Sequence, residues 1–408
     1  MTPVKSKSKA KAKPVARSKP KAKPSHKAAL VRKPAAAAKT PAPARKAGAS
    51  NADVPWSVLR ADGTALPGRD PKLAPELLLR MYRAMTLIRA LDGRMLILQR
   101  QGRIGFWGPT RGQEGATIAS CAAFEDRDWI LPALREGGCA LYRGFSLTEL
   151  VAQTIGNALD RVKGRQMPCH YSFKEGNYVA MSSVIGTQIP HAVGVALAAK
   201  TRGDDVVAAG YMGDGATSSS DFHVAMNFGA VLKAPVVFIC QNNQWAISVP
   251  LEKQTVSNTI AIKAVAYGME GVRVDGNDVL AVYSATKRAV DKARAGGGPT
   301  FLELLTFRVL GHSSSDDPTR YRDEACVKEW EAKDPIQRFR RYLESRKLWS
   351  KAQEDDLDGH HQAAISQAIK AAEAAPPVAP ATLIDDVYAD VPAHLKEQLQ
   401  RTLDDLGA

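Results

Sequence analysis

Apolar residues recur at helical spacing across residues 71–101, at Leu77, Leu78, Met81, Met85, Ile88, Leu91, Met95 and Leu98. Pro71 and Pro75 near the start and Gly102 just past the end are the punctuation that helix boundaries favour. RGQEGATIASCAAF then reads as a helix buried by its small residues, and residues 128–131 as a short strand ending in LREGG. Helical spacing returns over 146–156 and 187–201, separated by GRQMPCHYSFKEGNYVAMSSVIG. That stretch is too polar for a core and longer than ordinary connections, which marks it as a functional loop. Residues 206–211 form a β-branched apolar run, the pattern of a buried strand. Gly213-Asp214-Gly215 follows, then a helix-period segment with Phe222, Ala225, Met226, Phe228 and Gly229. A second buried strand, 235–240, ends at Asn242-Asn243.

Segments 260–267, 272–275, 277–294 and 300–309 continue the alternation of helix and strand. The pattern predicts an α/β fold, a mostly parallel sheet with helices on both faces. Beyond residue 334 it turns helical and amphipathic, over 336–348, 352–374 and 393–406, with a Pro/Ala-rich break at 375–381. A tail of that kind packs on its own domain or on a partner subunit. The expected organisation is a disordered tail over 1–50, an α/β domain over 51–334 and a helical C-terminal segment over 335–408.

Charge changes the picture only at the N-terminus. Of the 56 Lys and Arg, 15 lie in residues 1–50, which hold no Asp or Glu; the remaining 41 face 42 acidic residues. The net charge of +14 therefore belongs to the tail, and the folded part is near neutral. A Lys/Ala/Pro-rich stretch cannot bury enough apolar surface to fold. It reads either as a solvated arm with no single role or as a polybasic arm for nucleic acid, an anionic membrane or an acidic partner, the solvated arm being the commoner case. Lys-rich and broken by proline, it does not fit an Arg-rich amphipathic mitochondrial presequence. Five scattered cysteines (Cys121, Cys139, Cys169, Cys240, Cys326) without CxxC spacing suit a reducing compartment. No run is apolar and long enough to span a membrane. A soluble, cytoplasmic protein is expected, ahead of a mitochondrial matrix one.

The chemistry sits at the strand ends. Two parallel strands joined by one helix present ligands beyond their carboxyl ends, where Asp214 and Asn243 fall. A carboxylate, an amide oxygen and a nearby main-chain carbonyl facing a diphosphate would satisfy a hard cation such as Mg²⁺. The glycines allow close backbone approach, and the helix that follows would offer its N-terminal N–H groups to the anion. Taken alone, GDG is most often a simple turn. With NN at the end of the next buried strand the signal is far more specific, and it is not a GxGxxG fingerprint. A lone His such as His312 is likewise more often a satisfied polar residue than a catalyst. Its place in a polar loop after a buried strand, GHSSSDDPTRYR, raises its weight.

GDG followed downstream by NN resembles the thiamine diphosphate motif. From about Arg80 to the C-terminus the chain resembles the alpha subunit of the thiamine-dependent, decarboxylating component of 2-oxoacid dehydrogenase complexes. VKGRQMPCHYS, RVDGNDVLAVYSATK and GHSSSDDPTRYR resemble the branched-chain enzyme more than the pyruvate enzyme. The resemblance implies thiamine diphosphate and Mg²⁺, the metal held by Asp214, Asn243 and the main-chain carbonyl of Trp245. It implies a diphosphate cradle from Gly213, Gly215 and Ala216, with Arg135 on a phosphate oxygen, and Ser183 and Ile185 against the aminopyrimidine and substrate. Ser182, Thr187 and Gln188 would form a monovalent cation site for K⁺. His312 would steady the reaction intermediate and assist acyl transfer to a lipoyl group, and Ser313 matches a serine phosphorylated in mitochondrial relatives. The position of their second phosphoserine is Asp323 here, which speaks against that regulation. The expected unit is an α₂β₂ assembly, inactive without a beta subunit that carries the activating glutamate, with a lipoyl acyltransferase as the next partner.

Three positions depart from the family pattern. Leu134 stands where a Tyr is usual, Gln241 where Arg often precedes NN, and Ser218-Ser219-Ser220-Asp221 where SEGD follows the GDG turn. A pyruvate or broad-range enzyme, a degenerate paralogue kept for assembly and a basic nucleic-acid-associated protein are the competing readings. Intact Asp214, Asn243 and His312 count against the degenerate paralogue. Deleting residues 1–50 separates the last from an enzyme, since only a nucleic-acid binder would lose salt-dependent affinity.

Overall fold

Strands β2 (Ala208–Gly213) and β3 (Val236–Asn242) lie side by side in parallel, with Gly213 opposite Gln241. With β1 (Trp129–Leu131), β6 (Glu270–Asp275) and β7 (Thr300–Leu305) they form a five-stranded parallel sheet in the order β1-β2-β3-β7-β6. The small antiparallel pair β4 (Trp245–Ala246) and β5 (Val249–Pro250) stands outside it. The computed structural model describes residues 54–407, so the tail expected over 1–50 lies outside the described residues.

The sheet is buried on both faces, and this is why its strands read as unbroken apolar runs rather than as alternation. Val207, Ala209 and Tyr211 point to one side and Ala208 and Met212 to the other, each set in a separate core. The first core is made with α1 (Pro75–Arg100), α2 (Glu114–Ala122), α3 (Gly137–Tyr142), α4 (Leu147–Ile155) and α8 (Val279–Arg294). The second is made with α5 (Gln188–Arg202) and α6 (Ser220–Val231). Gly210 lets α5 approach the sheet closely, since a Cβ there would come within 3.1 Å of Ala192 Cβ.

Short helices α7 (Leu251–Gln254) and α9 (Glu324–Glu331) follow β5 and the loop after β7. Beyond them α10 (Pro335–Ser345) and α11 (Lys351–Glu373) bury Ile336, Phe339, Tyr342, Leu343, Ile365 and Ile369 in the core that α1 and α4 share. Helices α12 (Thr382–Asp385) and α13 (Ala393–Leu406) bury no side chain.

Four local expectations need correction. GDG does not open directly into an α-helix: a 3₁₀ turn, Asp214–Ser218, intervenes before Ser219 caps α6 by accepting from Phe222 N–H at 3.3 Å. Phe228 shares the helical period of Phe222 and Met226 but is 54% exposed, on the outer face of α6. Segment 260–267 is a 3₁₀ helix, Ala261–Tyr267. Strand β7 ends at Leu305, short of the expected 309, although Thr306 N–H still donates to Asn242 O at 2.9 Å and its hydroxyl lies against the carbonyl of Gly112 and Asn277 Oδ1.

Candidate active site

The carboxyl ends of β2, β3 and β7 open on a cavity of about 580 Å³. Strand alternation decides what enters it. Asn242 turns into the sheet and donates to the buried Glu303 at 2.8 Å, while Asn243, one residue on, faces the cavity. Asp214, the first residue past β2, meets it across the strand pair. Of the residues singled out in the sequence, Arg135, Ser182, Ser183, Ile185, Gln188, Gly213, Asp214, Gly215, Ala216, Asn243, Trp245 and His312 all line this cavity. Thr187 does not. It sits at the start of α5, where its hydroxyl donates to Val184 O at 3.1 Å, and Ser182 Oγ accepts from Val184 N–H at 3.1 Å. The turn 182–187 is thus closed on itself, and Gln188 braces it by donating to Tyr211 O at 2.7 Å. Gly186 takes φ +93°, and a Cβ there would meet Ser219 Oγ at 2.5 Å, so glycine alone seats the turn on the α6 cap.

Asp214 is buried, and loss of hydration raises its carboxyl above the ordinary range. Its Oδ2 accepts from Gln254 Nε2 at 2.6 Å. Asn243 accepts from Trp245 N–H at 3.1 Å and donates to Gln113 Oε1 at 3.0 Å. The peptide after Gly213 passes so close to β4 that a Cβ on Gly215 would lie 2.7 Å from Ala246 Cβ.

Arg135 is buried at the other end of the site. Its Nη1 donates to Pro109 O, and its Nη2 to His312 O at 2.8 Å and His312 Nδ1 at 3.3 Å. Burial, then the neighbouring Arg308 cation, lower its pKa to about 10. His312 is pushed down to about 4 by burial first, then by Arg135 and Arg308. Its backbone N–H donates to Asp316 Oδ2 at 2.6 Å, a carboxylate that also takes the hydroxyl of Tyr321.

The departures have definite placements. Leu134 packs against Gly108, its Cγ 3.2 Å from where a Cβ would stand. Gln241 turns inward, donating to Glu136 Oε1 at 2.6 Å and accepting from Thr117 at 3.2 Å. Ser219 supplies the α6 cap.

Four polar lining residues were not singled out from the sequence: Gln113, Glu136, His170 and Arg308. His170 is held at Nδ1 by Pro168 O at 3.1 Å; a carbonyl only accepts, so that nitrogen carries the proton and Nε2 accepts from Ser183 Oγ at 2.7 Å. Arg308 is buried against the carbonyls of Trp245, at 3.2 Å, and Ile247, at 2.7 Å. His170 lies inside the VKGRQMPCHYS loop and Glu136 inside LREGG, a usable signal for both. Gln113 and Arg308 gave none, because their partners are distant in the chain.

The donor set suits a diphosphate with a hard cation. Among the described residues no cluster of three or more His, Cys, Asp or Glu could hold a metal by itself. Asp214, Asn243 and Trp245 line the same cavity instead, and their carboxylate, amide and main-chain carbonyl are the oxygen types that a hard cation would share with phosphate oxygens. The buried Gln113 Nε2 has no partner, and the Gly215 peptide is kept free of side chain. The residues present fit thiamine diphosphate.

The family model described as "Dehydrogenase E1 component" matches residues 82–381. The chain is 42% identical over 345 residues to the 2-oxoisovalerate dehydrogenase subunit alpha 1, mitochondrial, of Arabidopsis thaliana, covering 84% of this chain and 73% of the relative. It is 42% identical to the human 2-oxoisovalerate dehydrogenase subunit alpha, mitochondrial, over 81% of this chain and 75% of that one. It is also 43% identical to the pyruvate dehydrogenase E1 component subunit alpha of Staphylococcus aureus, over 81% and 87%. These likenesses bear out the resemblance carried by GDG, NN and the GHSSSDDPTRYR loop: the chain belongs to the dehydrogenase E1 component family, a thiamine-diphosphate-dependent family, among the alpha subunits of 2-oxoacid dehydrogenases.

Proposed function

We propose that this chain is the alpha subunit of an enzyme that decarboxylates branched-chain 2-oxo acids and passes the acyl group to the lipoyl group of an acyltransferase component. The observation that carries the reading is the convergence of Asp214, Asn243, Trp245, Arg135 and His312 on one cavity at the ends of parallel strands. When bound, thiamine diphosphate supplies the electron sink that decarboxylation requires. Asp214, Asn243 and the carbonyl of Trp245 would hold Mg²⁺, and Ser182, Thr187 and Gln188 would hold K⁺ beside the turn they brace. Gly213, Gly215 and Ala216 admit the diphosphate by backbone.

His312 is neutral with its proton on Nε2, because Arg135 donates to Nδ1. It can therefore donate to a substrate oxygen without bringing a third cation beside Arg135 and Arg308. Phe106, Leu134, Met167, Met181 and Ile185 give the cavity an apolar wall that supports an alkyl side chain on the substrate. The exposed lining residues Met167, Ile185 and Ile247 support completion of the site by a beta subunit, in an α₂β₂ unit.

The pyruvate enzyme is the second reading, favoured by the equal likeness to a pyruvate dehydrogenase alpha subunit. The test is decarboxylation by this chain co-expressed with its cognate beta subunit, with thiamine diphosphate and Mg²⁺, comparing 2-oxoisovalerate with pyruvate. Asn243→Ala is the control. A preference for 2-oxoisovalerate that disappears in Asn243→Ala supports the reading. A preference for pyruvate replaces the substrate, and no turnover by a folded assembly sinks the activity.

A further inference from the structure

Each of the two candidate side-chain metal ligands is gripped by a glutamine that lies outside the ligand set. Gln113, at the N-terminus of α2, accepts at Oε1 from Asn243 Nδ2 at 3.0 Å. Gln254, the last residue of α7, donates from Nε2 to Asp214 Oδ2 at 2.6 Å and to Val249 O at 3.0 Å. The contacts join residues 130 and 40 positions apart, so neither is a by-product of local geometry.

An asparagine amide can turn either end toward a metal, and only its oxygen binds one. Here the choice is made by two neighbours. The N–H of Trp245 points at one end of the Asn243 amide at 3.1 Å, which must therefore be Oδ1. The other end is then Nδ2, and it needs an acceptor, which Gln113 Oε1 supplies. The oxygen is left on the side of Trp245, whose carbonyl is the third candidate ligand. On Asp214 the amide of Gln254 engages Oδ2, and the carboxyl also takes the backbone N–H of Asn243, so Gln254 fixes which oxygen it holds and leaves Oδ1 as the one it does not touch.

Both glutamines carry a penalty for this. Gln113 Nε2 and Gln254 Oε1 are buried without a partner. Buried polar atoms are nearly always satisfied, and each exception calls for an explanation such as a functional role or a bound water or ion. A methionine of similar length would fill either place without an orphaned atom.

We propose that Gln113 and Gln254 are positioning residues that set Asn243 and Asp214 to present oxygen to the metal. The inference rests on the thiamine diphosphate and Mg²⁺ reading above. Groups that orient metal ligands typically change metal affinity by about 10- to 100-fold when removed.

The experiment titrates Mn²⁺, followed by its paramagnetic resonance signal, into the assembly with the beta subunit and thiamine diphosphate. Gln113→Met and Gln254→Met are expected to weaken Mn²⁺ about tenfold or more, while the metal-free melting temperature stays at or above that of the wild type. Gln113→Glu keeps an acceptor for Asn243 Nδ2 and is expected to bind Mn²⁺ within about threefold of the wild type, a rescue that a packing role would not produce. Wild-type affinity in both Met variants, or equal losses in Gln113→Met and Gln113→Glu, overturns the assignment. A wild-type assembly that binds no Mn²⁺ with thiamine diphosphate overturns the cofactor reading itself, and this inference with it.

Discussion

Arg135 donates from one nitrogen, Nη2, to both the carbonyl oxygen and the Nδ1 of His312, at 2.8 and 3.3 Å. A guanidinium has no acceptor, so Nδ1 must offer its lone pair and the imidazole is the neutral Nε2–H form. Burial, and the cations of Arg135 and Arg308, hold its pKa at about 4 instead of 6.5. The unfolded chain takes up this proton near 6.5 and the folded one only near 4, so the histidine's contribution to stability is complete above 6.5 and is lost as pH falls between the two values.

His312→Asn should therefore flatten the fall in melting temperature of the assembly between pH 6.5 and pH 4.5. The same substitution should lower turnover by about 10²–10⁴ if Nε2–H moves a proton in the reaction. Parallel melting curves for wild type and variant would show that His312 titrates normally.

The two glycines of the GDG turn should separate. A methyl on Gly215 collides with Ala246 Cβ at 2.7 Å, whereas one on Gly213 meets nothing within 4 Å and projects toward the cavity. Gly215→Ala should cost about 1–3 kcal/mol through overpacking, seen as a lower melting point without cofactor. Gly213→Ala should leave that melting point alone and instead reduce the upward shift that thiamine diphosphate with Mg²⁺ produces. Equal behaviour of the two variants would remove the distinction.

These features differ in how far the chain order announces them. Strands β2 and β3 were legible because burial on both faces forces continuous runs such as Val236 to Cys240. Asp214 and Asn243 were legible because such strands deliver their ligands at their carboxyl ends. The outward turn of Phe228 was not, since helical period states which residues share a face but not how wide the buried stripe is. Gln113 and Arg308 were silent for another reason. Each acts on a partner that the sheet brings near, at 130 positions for Gln113 and Asn243, and no local pattern records a contact of that range.

One hydroxyl, that of Tyr321, adds a brace to the loop carrying His312 beside the Arg135 bond to His312 O. Tyr321 donates to Asp316 and accepts from Arg308 Nη2 at 2.7 Å, while Asp316 Oδ2 takes the His312 N–H at 2.6 Å. Tyr321→Phe removes both bonds, and a hydrogen bond to a buried charge is worth about 1.5–3 kcal/mol. Trypsin should cut at Arg320 about tenfold faster or more in the variant. An unchanged cutting rate would mean that the loop is held elsewhere.

Gln241 and Glu136 give the last prediction. Glu136 is buried, and loss of hydration raises its carboxyl to about 7 from an ordinary 4.5. A group whose folded pKa is raised gives stability that is complete below 4.5 and lost as pH rises through 7. Its Oε1 accepts from Gln241 Nε2 at 2.6 Å, a neutral donor that stabilises the ionised form only weakly. Gln241→Arg would set a cation in that place and favour the carboxylate. The variant should therefore gain stability over the wild type at pH 8, by about 1–3 kcal/mol, and gain little or nothing at pH 5, where Glu136 is protonated. Paired melting curves at the two pH values decide it. A gain of equal size at both would mean that the arginine pairs with something other than Glu136, and that the buried carboxyl does not govern how this end of the cavity responds to pH.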